Sequence, residues 1–304
     1  MYNKQQLVMM ELARELISYE VGDRIDTISS YTKRFDTSRG VVQEALNTLE
    51  EEKAITRDKK GTLGTFLSNI NYKKLWIFTL GRIAGVSPLP YTKKHEGIAT
   101  AIYNEMEKEN IPFNFAYMQG AEKRIQCVLE GKYDFAVLSK ESACTLIKKY
   151  NNIKIVMEFA QYSYLSGYAL LYKDKDVLKK KKLRVGRDLA SSDHTKWMEL
   201  LAKENELELE YIDIQYTQMV PAIMNGIIDG TIYNKDTIEK PGIFGDVYFE
   251  DLVINKDIGD ETRAVLVISN KSLGFSNLLN QIINEKEVTI TQKQVIDGVR
   301  DPVY

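Results

Sequence analysis

The chain has 304 residues, 44% of them hydrophobic, and a formal net charge of −2 from 41 basic and 43 acidic side chains. That length suits one small plus one large domain, or two medium ones, each with a real core. The balanced charge excludes a globally basic nucleic-acid coat, and residues 1–70 alone hold 10 Lys/Arg against 11 Asp/Glu, so nucleic-acid contact there has to come from arranged charges.

The opening stretch MYNKQQLVMMELARELI interrupts its apolar residues with polar ones and leads to no small-residue cleavage site, so no export signal is expected. Residues 3–18 have the spacing of an amphipathic helix around Leu7, Leu12 and Leu16. YEVGDRIDT reads as a turn, residues 26–35 as a short helix and 38–52 as a third helix. AITRDKKGTLGTFLSN then alternates apolar and polar residues around a Lys-Gly tip, as a β-hairpin does. A polar joint at 68–74 separates this small unit, expected over 1–70, from a larger one over 71–304.

In the larger unit LWIFTL (75–80) reads as a buried strand, GRIAGVSPLPYT as a loop and the residues near 94–109 as a helix. FNFAYM, a helix at 121–130, YDFAVLS, a helix at 141–150 and IKIVMEFA follow, an alternation that implies βαβ units and a mostly parallel sheet. VLEGKYDFAVLSKES (128–142) aligns without gaps to IMNGIIDGTIYNKDT (223–237), at an offset of 95. The alignment pairs Gly131 with Gly226, Asp134 with Asp229 and Ser139 with Asn234. LRVGRD (183–188), a helix at 191–204 and LELEYIDI (207–214) lead the second copy. The larger unit is therefore expected to be two similar α/β lobes: lobe one over about 71–165 and 265–304, lobe two over about 170–260. YSYLSGYALLYKD (162–174) crosses between them, TRAVLVISN (262–270) crosses back, and helices near 275–285 and 291–299 close the chain.

Several function classes are disfavoured. No apolar run approaches the roughly 18 residues that span a bilayer, so no membrane partner is expected. Cys127 and Cys144 lie in no CxxC and read as two reduced thiols of a cytoplasmic protein. With two histidines in the chain no zinc set can be assembled. No nucleophile–His–acid set or phosphate loop is visible, so no cofactor and no metal is implied, and an enzyme on the two-lobed fold is the alternative rather than the main expectation.

The third helix carries the first functional signal. Val42, Ala45, Leu46 and Leu49 recur at core-facing spacing, and Thr37 or Ser38 caps the N-terminus. Off that face Arg39, Gln43 and Asn47 form a row at spacing four, with Gly40 near the opposite side, where Gly in place of Ala costs about 1 kcal/mol. Arg, Gln and Asn match purine edges and phosphates by forked hydrogen bonds; an ordinary solvated helix face has a similar make-up.

Residues 5–67 resemble the winged helix-turn-helix of GntR-type bacterial regulators. The resemblance rests on GDRIDT (22–27), on Ser38-Arg39-Gly40-Val41-Val42-Gln43-Glu44-Ala45-Leu46, and on LEEEKAITRDKKGTLGTFL (49–67) with its Gly64-Thr65-Phe66 close. It implies double-stranded operator DNA as a partner, read by Ser38, Arg39, Gln43 and Asn47, with Arg34, Lys59 and Lys60 near phosphates, and a homodimer on a near-palindrome. The chain departs from the pattern where the family's Thr is Val41, its Arg is Gln43, and its Glu-Arg pair is Ile28-Ser29, so a typical GntR operator does not follow. The two-lobed part, through YDFAVLSKESA and GIIDGTIYNKD, resembles the type II periplasmic-binding-protein fold and, in combination with the winged helix, the YhfZ family of regulators.

Ligands in such sheets bind outside the carboxyl ends of the strands. That singles out Gly85, Ser87, Tyr91 and Thr92 after the first strand, Ser139 after the third, Ser191, Ser192 and His194 at a helix start, and Asn234 as the repeat partner of Ser139. Helix N-termini favour a carboxylate or phosphate, so a small anionic or polar metabolite between the lobes is expected; Ser191, Ser192 and Asp193 also have the composition of ordinary helix caps. Asp134 and Asp229 read as structural, His194 as a surface or cap residue, and Tyr162, Tyr164 and Tyr168 as hinge-lining or simply packed aromatics. The sequence as a whole predicts a cytoplasmic, ligand-responsive transcriptional regulator.

Overall fold

Helix α1 (Lys4–Leu16) is closed by Asn3, whose side chain accepts from the Gln6 N–H while the Gln6 side chain accepts from the Asn3 N–H. Strand β1 (Arg24–Ile25), helices α2 (Ile28–Arg34) and α3 (Arg39–Glu51), and the hairpin β2 (Ile55–Lys59) and β3 (Thr65–Ile70) complete the first unit. Its antiparallel sheet has the order β1-β3-β2. Three helices, with a hairpin beside the third, make a winged helix-turn-helix. β1 lies in the stretch that reads as a turn; two residues are too few for a period to show. The computed structural model that gives this architecture describes residues 3–189, 192–238, 247–252, 259–270 and 273–303.

The first element after the hairpin corrects the sequence reading. Residues 75–80 are not a strand: helix α4 (Tyr72–Phe78) covers most of them, capped by Asn71, which accepts from the Lys74 N–H. Tyr72 and Leu75 are buried at i, i+3 spacing, so the helical period outweighs the strand propensity of Trp, Ile and Phe. The strand is instead β4 (Ile83–Ser87), inside the stretch that reads as a loop. Gly85 belongs to it because a Cβ there would lie 2.6 Å from the Phe135 ring and 2.7 Å from the Phe115 ring; the aromatics fill the space.

Helices and strands then alternate as α5 (Lys93–Lys108), β5 (Phe113–Tyr117), α6 (Ala121–Leu129), β6 (Phe135–Ser139), α7 (Lys140–Lys149) and β7 (Ile153–Glu158). After the crossing come β8 (Tyr168–Tyr172), β9 (Lys182–Arg187), α8 (Ser192–Glu204), β10 (Glu208–Asp213), α9 (Met219–Met224), β11 (Gly230–Asn234), α10 (Lys235–Ile238) and β12 (Tyr248–Asp251). β13 (Ala264–Ser269) returns to lobe one, followed by α11 (Leu273–Ile282) and α12 (Glu285–Ile296). The last helix begins six residues earlier than its spacing suggests, because Asn284 caps it by accepting from Lys286 and Glu287.

The two sheets have matching orders, β5-β4-β6-β13-β7 and β10-β9-β11-β8-β12. In each, four strands run in one direction and the strand that follows a crossing runs against its two neighbours: β13 against β6 and β7, and β8 against β11 and β12. The repeated aspartates do the same work in both copies. Asp134 accepts from the Ala84 N–H at 2.8 Å and Asp229 from the Arg184 N–H at 2.9 Å, tying β6 to β4 and β11 to β9. Gly131 and Gly226, with φ of +73° and +66°, make the equivalent turns before them.

One continuous apolar core joins the winged helix to lobe one: Leu12, Leu16, Leu46 and Leu49 belong to the same cluster as Leu75, Ile98, Phe135, Leu266 and Leu278. Lobe two has separate cores, one around Met219 and Ile223 and one around Trp197 and Val185. At the joint the Tyr72 hydroxyl donates to the Tyr19 carbonyl at 2.8 Å and accepts from the Asn277 amide at 3.0 Å. Among the described residues no helix is long and apolar enough to cross a membrane.

Candidate functional site: a helix face and an inter-lobe cavity

Ser38 caps α3, accepting from the Val41 N–H at 3.4 Å, and Val42, Ala45, Leu46 and Leu49 are buried. Arg39, Gln43 and Asn47 are exposed on the same helix. A Cβ at Gly40 would meet only the Ser38 hydroxyl at 3.9 Å, so nothing within the chain requires a glycine there. The Asn47 side-chain oxygen accepts from Arg57 at 2.8 Å, and Arg57 also donates to Glu50. Arg57, absent from the sequence-based set, thereby fixes the wing to α3. Glu50 is partly buried, which by itself would raise its carboxyl, but the Arg57 hydrogen bonds win and hold it below the usual range.

Lys59 and Lys60 stand exposed at the wing tip, Lys60 over the Phe66 ring and 3.6 Å from Asp58. Arg34 is engaged within the chain: its guanidinium pairs with Glu15 and Asp26 and lies over the Tyr31 ring. Ion pairs with two carboxylates compete with any phosphate contact at this residue.

A cavity of about 150 Å³ lies between the lobes. Of the residues singled out from the sequence, Tyr91, Thr92, His194 and Asn234 line it, together with Tyr164 and Tyr168. Tyr162 is exposed, away from it. Thr92 caps α5, accepting from the His95 N–H at 3.2 Å, and Asn234 accepts from the Asp236 N–H at 2.9 Å. Ser87 and Ser139 are fully buried at the ends of β4 and β6 and are not in the lining. Ser139 is held back by its cap: it accepts from the Ser142 N–H and donates to the Ser142 hydroxyl at 2.9 Å, so Ser142 is the serine on the wall. Ser191 and the side chains of Ser192 and Asp193 lie outside the described residues.

The strongest polar groups of the cavity come from residues the sequence did not single out. Arg124, 3% exposed, donates to the Val137 and Met118 carbonyls at 3.1 and 2.8 Å. Asp188, 6% exposed, accepts from the Gln119 amide at 2.6 Å and from the Tyr216 N–H at 3.0 Å; the first of these bonds joins lobe one to lobe two. Lys196 of lobe two adds a second tie, donating to Glu141 of lobe one at 2.7 Å and to Glu261 at 2.9 Å. Tyr91 reaches over to Tyr216, which stacks on Tyr233 with ring centroids 4.2 Å apart.

His95 and His194 are the chain's two histidines, and both line this cavity. Each is the third residue of the equivalent helix of its lobe, α5 after β4 and α8 after β9. Burial, reinforced for His95 by the Arg124 charge, lowers both imidazoles to about 4, although Asp188 works in the opposite direction at His194; both rings are neutral at pH 7. His194 is half-buried and not a surface residue: its ring sits against Tyr168 and Tyr216. A signal existed in the sequence, since positions 95 and 194 differ by 99, close to the repeat offset of 95. Four extra residues inside the first copy, between His95 and the aligned segment that starts at 128, hide it from an ungapped alignment.

Comparison with known proteins places both units. A helix-turn-helix domain model matches residues 20–67, and the YhfZ C-terminal domain model matches residues 71–304. The chain is 26% identical over 302 residues to the uncharacterized protein YhfZ of Escherichia coli K12, covering 99% of this chain and 98% of that one. The crystal structure of YhfZ from Shigella flexneri matches with a TM-score of 0.60 at 25% identity, over 73% of this chain and 93% of that one. The periplasmic aliphatic sulphonate binding protein SsuA of Escherichia coli matches with a TM-score of 0.55 at 11% identity, over 72% of this chain and 74% of that one, a likeness of fold alone. A periplasmic-binding-protein-like body thus follows a helix-turn-helix domain, and the chain belongs to the YhfZ family.

Proposed function

We propose that this protein is a ligand-responsive transcriptional regulator of the cytoplasm, which binds operator DNA through α3 and its wing and a small metabolite in the inter-lobe cavity. The observation that carries the DNA half is the exposed row Arg39–Gln43–Asn47 on a helix whose opposite face is wholly committed to the core, inside a helix-turn-helix domain. Docked in the GntR manner, that row enters the major groove while Lys59 and Lys60 approach phosphates, each phosphate contact adding to the salt dependence. One winged helix covers few base pairs, so a homodimer on a near-palindrome completes the site. The cavity supports the ligand half: it lies at the carboxyl ends of strands from both lobes and is lined by polar groups from each.

Selection of duplexes from a random library by the full chain tests the DNA half. The selected sequence should be a near-palindrome, and Arg39→Ala should weaken binding to it by about 1–3 kcal/mol at fixed salt. Failure of any sequence to enrich, or equal affinity of the variant, would remove α3 from the role.

A further inference from the structure

We propose that the outer face of α1 and the end of α4 form the surface through which two copies of this chain pair, setting the distance between their α3 helices. The proposal names the surface of the homodimer, and its use on DNA rests on the regulator reading.

α1 carries apolar residues on two faces. Its inner face buries Val8, Leu12 and Leu16, while Leu7, Glu11 and Arg14 follow at spacing four and three on the outer one. Leu7 is 47% exposed there, and Met10 beside it is half-buried. α4 extends this stripe. Its first residue, Tyr72, donates to the Tyr19 carbonyl beyond the end of α1, and Arg14 donates at 3.4 Å to the carbonyl of Thr79, which closes α4. The two helices therefore run antiparallel, and the end of α4 comes to the outer face of α1. Ile77 and Leu80 stand there, 56% and 53% exposed. Single apolar residues are common on surfaces. Here three of the five large apolar side chains exposed among the described residues 3–80 lie at one joint, and no core cluster includes them.

Charge identifies the occupant. Glu11 and Arg14 pair at 2.9 Å with side chains 52% and 49% exposed, so each keeps capacity for a second partner. A closed dimer sets one patch against itself about a two-fold axis. With the two α1 helices antiparallel, Glu11 meets the partner's Arg14 and Arg14 meets the partner's Glu11, four alternating charges flanked by the apolar residues. A surface of one sign would meet a like charge at one of the two positions, whereas a second copy meets the opposite sign at both.

The shared core gives the pairing its consequence. Leu12 and Leu16 of α1, Leu46 and Leu49 of α3 and Leu75 of α4 belong to one cluster, so a contact through α1 and α4 fixes how far apart the two α3 helices stand. Arg39, Gln43 and Asn47 lie on the exposed side of α3, away from that core, and stay free. A fixed distance between two such helices selects one half-site spacing.

Light scattering of the full chain beside a Leu7→Glu, Ile77→Glu double variant tests this, with Tm as the control for folding. The wild type should have twice the mass of one chain at about 10 μM and the variant the mass of one, a weakening of roughly tenfold or more. Glu11→Arg alone, which leaves the apolar residues in place, should weaken the dimer about tenfold. Adding Arg14→Glu reverses both charges and should restore the dimer, a rescue that damage to the fold would not show. A wild-type monomer at that concentration, a dimer unchanged in the double variant, or no rescue by the charge swap would overturn the proposal. A near-palindrome bound equally well by the monomeric variant would overturn the role in spacing α3. If the dimer behaves as stated but no duplex enriches, the surface stands and the regulator reading falls.

Discussion

His95 and His194 give the cavity a measurable signature at the scale of single residues. Both imidazoles fall from the ordinary 6.5 to about 4 through burial, so between those values the unfolded chain binds protons that the folded chain does not. Stability is therefore full above pH 6.5 and is lost as the pH falls towards 4. Urea unfolding at pH 7 and pH 5 should show a drop for the wild type that is smaller in a His95→Gln, His194→Gln double variant. An equal drop in both proteins would mean that the rings are not buried as neutral groups. Arg57 shows the same economy in the helix-turn-helix unit: one nearly buried guanidinium sets both the wing and the Asn47 amide, so the orientation of a row residue depends on a residue outside the row.

Among the elements, the joint of α1, α4 and α11 is the most demanding. A Cβ at Gly274 would sit 1.7 Å from the Ile17 carbonyl oxygen, so α11 can meet the end of α1 only through a glycine. Gly274→Ala should destabilise the chain by about 1–3 kcal/mol, read as a lowered Tm; an unchanged Tm would show that the two ends are free to separate. This joint is also where the sequence was hardest to read. α3 and the repeated Gly-turn-Asp-strand units were legible because each follows one clear period and its own local turn chemistry. α4 was not, since Trp, Ile and Phe favour strands in isolation and become helical here by packing against α1 and α11, elements distant in sequence. β4 was hidden by Gly85, which reads as a loop residue until Phe115 and Phe135 are seen to fill its space. For the cavity, strand-end logic led to Tyr91, Thr92 and Asn234 but not to Arg124 or Asp188. Arg124 lies inside α6 rather than at a strand end, and the bond of Asp188 to Gln119 depends on how the two lobes meet, which no single segment encodes.

In the whole molecule the winged helix and lobe one share a core, whereas lobe two has its own. Under the proposed function, closure around a ligand would move lobe two against a body that already includes α3. The hydrogen bonds from Gln119 to Asp188 and from Lys196 to Glu141 hold the two together beside the cavity. A ligand that favours this arrangement changes DNA affinity only by its differential affinity for the two states. The coupling must be reciprocal, with the ligand changing operator affinity by the same factor as the operator changes ligand affinity. Both affinities of the full chain, measured at one salt concentration with the cavity ligand and the selected operator, show whether the two sites are coupled. One shared factor of roughly 5 to 150 is expected in the two titrations; a factor of one in both, with each partner bound, would mean that the cavity does not regulate DNA binding.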